Sequence, residues 1–331
     1  MIEQIDLPRG FRTRHFFDRI VKRRVIEEGL DEETAHDLIF HLGKRILVGT
    51  ALDEDTLAMK QPVLFGKPEA DYFVNLIKEA AEGEGTKLID ERVNRRNARA
   101  LMEQAGLKNP VAGFEGAMFG RFVTSDILAR VDAPVHVAHA FTTHALDTEV
   151  DFFTVVDDLA EDETGAAHAN DMELGSGIFY GYVVIDIPLL ISNLTGCERG
   201  DWQEQDHRAA KSLIDLLIQA AAEVSPGAKL GATAPYARAE CVVLEVGDKQ
   251  PRSLANAFLH PVNGSQAASP MGLSVSALAD YIAGMDQMYG AGEKRFVSLL
   301  PIHEWPRTEE AVIPLGTAIE ESLKEIFGET R

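Results

Sequence analysis

Residues 136–158, HVAHAFTTHALDTEVDFFTVVDD, bring three histidines, five acidic residues and the adjacent pair Phe152 and Phe153 into one short stretch. Imidazoles and carboxylates hold metal ions, and a metal-bound water makes a hydrolase. The spacing argues against a simple site. His136 and His139 are three apart and His144 follows five later, which no common zinc motif uses. In an extended strand successive side chains alternate, so positions 136 and 139 face opposite sides and reach one ion only across a bulge. Asp147, Asp151, Asp157 and Asp158 offer further carboxylates. A metal-dependent hydrolase built on His139, His144 and nearby aspartates therefore stays open, although no metal site, catalytic residue or cofactor is assigned. Other chemistries have less support. There is no G-x-S-x-G nucleophile elbow and no phosphate-loop lysine motif, and YGAGEK lacks both a feeding strand and a third glycine.

The aromatic pair points elsewhere. If the segment is a strand, one ring of Phe152 and Phe153 enters the core and the other faces out. An exposed ring beside Thr154 and Asp151 is a platform on which a base can stack, while a ring over the core is the commoner role. The polar stretch LAEDETGAAHANDMELGSG follows, with Gly165, Gly175 and Gly177. Flanked by strand patterns, it reads as the far part of a long hairpin; the plainer alternative is an acidic loop.

Behind these residues stand the elements that must position them. Helical periodicity runs through RHFFDRIVKRRVIEE, EETAHDLIFHLGKRIL, PEADYFVNLIKEAAEG (with Pro68 suited to a first turn) and ERVNRRNARALMEQAG, which stops at Gly106. The middle changes character. PVHVAHAFTT, TEVDFFTVV and SGIFYGYVVIDI are rich in β-branched and aromatic residues and predict strands. A long helix is expected in EQDHRAAKSLIDLLIQAAAEV, strands in AECVVLEV and RFVSLLP, a helix between them in SVSALADYIAGMDQMYG, and a last helix around AIEESLKEIFGE. Helices gather early and mix with strands later, so the fold class is α+β.

Bulk properties bound the function. The chain has 331 residues, 45% hydrophobic and 26% charged, the balance of a globular protein with a sizeable core. Its longest apolar run, GYVVIDIPLLI, is broken by Asp186 and Pro188 and is too short to span a bilayer, so no membrane is expected. The start carries no secretory signal pattern, and Cys197 and Cys241 make neither a disulfide framework nor a metal spacing, which fits the cytoplasm. The formal net charge of −21 disfavours long-range attraction to any polyanion. The distribution is uneven, however. Residues 1–24 hold seven Arg or Lys against three acids, DERVNRRNAR sets Arg92, Arg95, Arg96 and Arg99 at helical spacing, and no Lys or Arg occurs from position 131 to 198. Taken alone, each basic group is a solvated helix face.

Several stretches in order, HVAHAFTTHALDTEVDFFTVVDDL, LGSGIFYGYVVIDIPLLISNL, SPGAK with TAPY, and RSLANAFLHPV, resemble successive signatures of one family. It is the repeating backbone subunit of type I-E CRISPR Cascade, the CasC-type protein. GRFVTSD resembles that family's Gly-Arg-Met-x-Thr-Ser segment with Phe122 in place of methionine, and RTRHFFDRI and LFGKPEADYFVNLIKEA resemble its helical part more loosely. The resemblance implies a palm of RNA-recognition-motif (ferredoxin-like) type, a helical fingers subdomain and a protruding β-hairpin thumb. On that basis residues 1–110 are expected to be mainly fingers and 111–331 the palm, with the thumb at about 147–182.

The implied function is not catalytic. Copies assemble head-to-tail along the CRISPR RNA with other Cascade subunits, and each thumb kinks out one nucleotide at regular intervals. Sequence recognition is left to pairing between guide and target DNA strand. Carried over residue by residue, Arg121, Phe122, Thr124 and Ser125 match the segment that lines the guide, Thr142 and Thr143 fall in the H-A-x-T-T-H motif, and Lys229 matches the P-G-A-K lysine. Phe152, Phe153 and Thr154 lie at the base of the thumb, the resemblance favours Phe153 or its immediate neighbourhood as the part that faces the RNA, and Met172 and Leu174 are further candidates for its wedge. A relative that cleaves RNA through a loop aspartate is a further alternative. The family pattern opens with a β-strand and a basic S-S-Q-S-x-K-R segment before the R-T-R region. Neither precedes RGFRTRH here, so a late-starting chain is expected.

Overall fold

A computed structural model describes residues 9–47, 52–93, 113–121, 131–145, 147–155, 168–225, 236–264 and 269–328. It is a mixed helix and strand chain that forms two compact units, Met1–His136 with Val183–Ala220, and Val137–Tyr182 with Ala221–Arg331. The chain passes between the units three times, where the sequence suggested one boundary near residue 110. The cause is local: β3 (Val135–Val137) pairs with β8 (Val183–Ile185), and the Asp186 amide donates to the Pro134 carbonyl at 2.8 Å.

The first unit begins with β1 (Gly10–Thr13), which pairs antiparallel with β2 (Val63–Gly66). Neither four-residue strand is evident from periodicity, because GFRT and VLFG are too short to show alternation. A π-helical turn, Phe17–Lys22, runs into the α-helix Arg23–Glu27 (α1). The i+4 spacing of Phe17, Val21 and Val25 buries all three. Helix α2 (Glu32–Ile46) starts where Asp31 accepts from the Thr34 amide, and buries Ala35, Leu38, Ile39, Leu42 and Ile46 along one face. Helix α3 (Lys67–Glu82), with Pro68 in its first turn, buries Ala70, Phe73, Val74, Ile77 and Ala80. Around them Phe16 stacks on Phe65 at 3.9 Å, and Phe17 meets Phe16 edge-on at 5.4 Å. A short helix α4 (Thr86–Arg92) follows, and the remainder of the helix expected up to Gly106 lies outside the described residues. Helix α5 (Gly113–Phe119) lies against β1. A Cβ at Gly113 would stand 2.2 Å from the Gly10 nitrogen, at a φ of +74°, so only glycine permits this approach. Helix α6 (Ile187–Thr195) opens on Asp186 as N-cap with Pro188 in its first turn.

The second unit holds four further strands before its helices: β4 (Phe141–Thr142), β5 (Asp147–Val155), β6 (His168–Ser176) and β7 (Phe179–Tyr180). The chain returns from the first unit near the end of helix α7 (Arg208–Glu223), which belongs to that unit as far as Ala220; then strands β9 (Cys241–Val246) and β10 (Lys294–Leu299) pair antiparallel, with α8 (Pro270–Tyr289) between them in sequence and α9 (Leu315–Phe327) as the last helix. Leu254, Val275, Ala279, Ile282, Val297 and Trp305 form this unit's core. Among the described residues the strands pair in twos, with no four-stranded sheet. No helix among them is long and apolar enough to cross a membrane.

Candidate nucleic-acid interface

Strands β5 and β6 pair along all nine residues, from Asp147 opposite Ser176 to Val155 opposite His168. Directly opposed residues share a face, so Val150, Phe152 and Thr154 stand with Glu173, Asp171 and Ala169. Val150 is 67% exposed and Phe152 66%, and Thr154 is exposed beside them. Positions 153, 172 and 174 belong by register to the opposite face of the ladder. Glu149, Asp171 and Glu173 are exposed, and no Lys or Arg lies anywhere in the ribbon. Such a ribbon offers phosphates no lysine or arginine. What it can offer a nucleic acid is apolar and aromatic surface for the faces of unpaired bases.

At its root the ribbon continues into β4 and β7, where Phe141 is opposite Tyr180 and Thr142 opposite Phe179. Alternation sorts the four. Phe141 and Tyr180 pack with Phe258 at ring separations of 5.4–6.4 Å, and the Tyr180 hydroxyl accepts from the Leu254 amide at 3.1 Å. Burial pushes the Tyr180 phenol pKa up, although the Leu254 and Ser253 hydrogen bonds oppose it. Phe179 turns the other way and is 61% exposed. Thr142 is half-buried, while Thr143 is buried, with its amide donating to the Ile178 carbonyl at 2.9 Å and its hydroxyl 2.8 Å from Ser274 Oγ. Val150 and Phe179 were not singled out from sequence. The signal for Val150 was its i, i+2 relation to Phe152; for Phe179 it was the alternation with Tyr180.

The histidines are spent on backbone or left in solvent. His144 Nδ1 donates to the Ala145 carbonyl at 2.7 Å and its Nε2 accepts from the Ile178 amide at 3.1 Å, while His136 and His139 are exposed. Among the described residues no three His, Cys, Asp or Glu side chains are grouped to hold a metal ion.

Arg121 is enclosed in the first unit, not presented to solvent. Its Nη1 donates to Glu69 Oε1 at 2.6 Å, with both side chains 1% exposed, and lies 3.3 Å from the Leu64 carbonyl. Burial raises the Glu69 pKa, against the pull of the Arg121 charge. Phe122, Thr124, Ser125 and Lys229 lie outside the described residues, and Phe153, Met172 and Leu174 are placed by backbone alone. In the first basic group Lys22 pairs with Glu32, Arg23 with Glu27 and Arg24 with Asp71, and Arg14 donates to the Met59 carbonyl. Arg12 on β1 is exposed.

Comparison with known proteins adds three findings. The family model Cas_CT1975, CT1975-like protein, matches residues 1–325. A solved chain titled "CRISPR RNA-guided surveillance complex, pre-nicking" superposes with a TM-score of 0.69 at 21% identity, covering 95% of this chain and 84% of that one. A second, titled "CRISPR RNA-guided surveillance complex", gives a TM-score of 0.56 at 25% identity over 70% of this chain and 82% of that one. No curated protein matches the sequence.

Proposed function

The chain belongs to the CT1975-like protein family, and from that premise we propose that it is a guide-RNA-binding backbone subunit of a type I-E Cascade surveillance complex. The likeness to chains of CRISPR RNA-guided surveillance complexes supports a Cascade-type role. CRISPR RNA and other Cascade subunits are then its partners. In this reading copies line up head-to-tail on the guide in the cytoplasm, the paired target DNA strand lies beside them, and no reaction is assigned to the chain. The palm is of RNA-recognition-motif type, the first unit's helices belong to the fingers, and the β5–β6 ribbon is the thumb.

One observation carries the reading: a nine-pair ribbon without a single cation that holds Val150 and Phe152 out in solvent. An element that must part stacked bases needs apolar surface, and phosphate contacts are left to other parts of the subunit. Phe152→Ala tests this. The ring is largely exposed, so melting should hardly change, while guide affinity should fall by about 1–3 kcal/mol if one base stacks there. Chemical probing of the bound guide should also show less distinct kinked nucleotides. Unchanged affinity in both Phe152→Ala and Val150→Ala would remove this face of the ribbon from the interface.

A further inference from the structure

The ladder that runs from β4/β7 into β5/β6 is not continuous. Thr142 stands opposite Phe179 and Asp147 opposite Ser176, so between the paired positions the outgoing chain has four residues where the returning chain has two. Such a bulge bends a ribbon and re-aims whatever lies beyond it. It also leaves ladder groups to be satisfied by other means. The Ile178 carbonyl is taken by the Thr143 amide at 2.9 Å. The Ile178 amide, which a regular ladder would pair with a carbonyl, donates instead to His144 Nε2 at 3.1 Å.

The imidazole can accept there because its other nitrogen donates to the Ala145 carbonyl at 2.7 Å. This arrangement needs the neutral ring with its proton on Nδ1. Gly177 completes the joint, since a Cβ there would lie 2.9 Å from Thr142 Cγ2 and 3.1 Å from His144 Nε2. The bulge is tied to the rest of the second unit by the Val262 amide, which donates to the Thr143 carbonyl at 3.0 Å, and by Ser274 Oγ at Thr143 Oγ1. Among the described residues, the groups shown at His144 are uncharged: Ala145 next in the chain, Gly177 and Ile178 on the returning side, and Val262, bridged to it from a third segment.

We propose that His144 is the hinge pin of the β5–β6 ribbon, a positioning residue whose neutral imidazole fixes the ribbon's angle and whose protonation releases it. A proton on Nε2 sets a donor against the Ile178 donor, the bond is lost, and the bulge is free to flex. The hinge follows from the geometry of the second unit alone; its consequence for guide binding rests on the role proposed above.

Two spin labels on the full-length chain test it, at Thr154→Cys in the ribbon and Lys294→Cys in β10, with Cys197→Ser and Cys241→Ala removing native thiols. The distance distribution should be narrow near pH 8 and broad near pH 5. His144→Gln keeps an acceptor for the Ile178 amide without a titrating ring, and should stay narrow at both. His144→Ala should be broad at both and should weaken guide binding at neutral pH by about fivefold, the worth of one hydrogen bond. Identical wild-type distributions at the two pH values, or the same acid broadening in His144→Gln, would overturn the hinge without touching the RNA-binding role. Loss of guide binding in Phe152→Ala with a rigid ribbon bears on the role alone.

Discussion

Arg295→Ala should destabilise the protein by about 3–5 kcal/mol, the cost of breaking a buried ion pair from one side. Arg295 on β10 is directly opposite Glu245 on β9, and its guanidinium reaches Glu245 at 2.8 Å, Asp286 at 3.1 Å and Glu310 at 2.5 Å. Arg252 joins from Glu245 and Asp286, and Arg307 from Asp286 and Glu310, so three guanidiniums hold Glu245, Asp286, Glu293 and Glu310 together. Removing Arg295 leaves four carboxylates around two cations in a poorly solvated place.

The pH dependence has a definite sign. Burial disfavours the Asp286 charge, but Arg252 and Arg295 outweigh it and hold the pKa below the usual carboxylate range; Glu310 is held low in the same way by Arg307, Trp305 and Arg295. A depressed carboxylate contributes stability above its unfolded pKa and loses it as pH falls through its folded one. Wild-type protein should therefore weaken below about pH 4, the range of free carboxylates. In Arg295→Ala the two folded pKa values rise toward their unfolded values, so the penalty seen at pH 7 should shrink on acidification. Urea unfolding at both pH values measures this. A penalty independent of pH would mean that Arg295 matters through packing and not charge.

Arg121→Ala should cost a similar amount, about 3–5 kcal/mol, by leaving Glu69 buried without its countercharge. Burial already raises the Glu69 pKa. A raised carboxylate stabilises the fold below its unfolded pKa and loses that contribution as pH rises through the folded one. The variant should thus regain stability as Glu69 takes up a proton at acid pH, and Arg121→Met with Glu69→Gln should recover much of the loss at pH 7. The competing expectation, that Arg121 lines the guide, makes a different forecast. It requires intact melting and a salt dependence of RNA binding that is flatter by one contact, about 0.7 in slope for a single strand. One pair of measurements on one variant separates the two.

How far the chain alone could take a reader differs between its parts. Periodicity located α2, α3, α7, α8 and α9 because each buries one face over several turns, and alternation located β5, β9 and β10 because each is long enough to show it. Strands β1 and β2, four residues each, and α6, hidden in the run IPLLISNLT that continues an apolar strand pattern, carried no such signal. Within the site, the exposed aromatic was anticipated from adjacency, since one of two neighbouring rings in a strand must face away from the other. Phe152 is the ring seen exposed, whereas the resemblance favoured Phe153, which register places on the opposite face of the ladder and whose side chain lies outside the described residues.

What the sequence by itself determined is the α+β class, most of the long elements, and a hairpin with acidic and aromatic residues in a lysine- and arginine-free stretch, because these are local properties of residue type and spacing. Tertiary structure alone decided which charges are available. Arg121 and Arg24 are alike as letters, yet one is sealed against Glu69 and the other half-exposed beside Asp71, since burial depends on what distant segments bring alongside. It also decided the role of His144. A ring that in the linear chain suggests a ligand is committed at both nitrogens, one of them to a backbone amide 34 residues away.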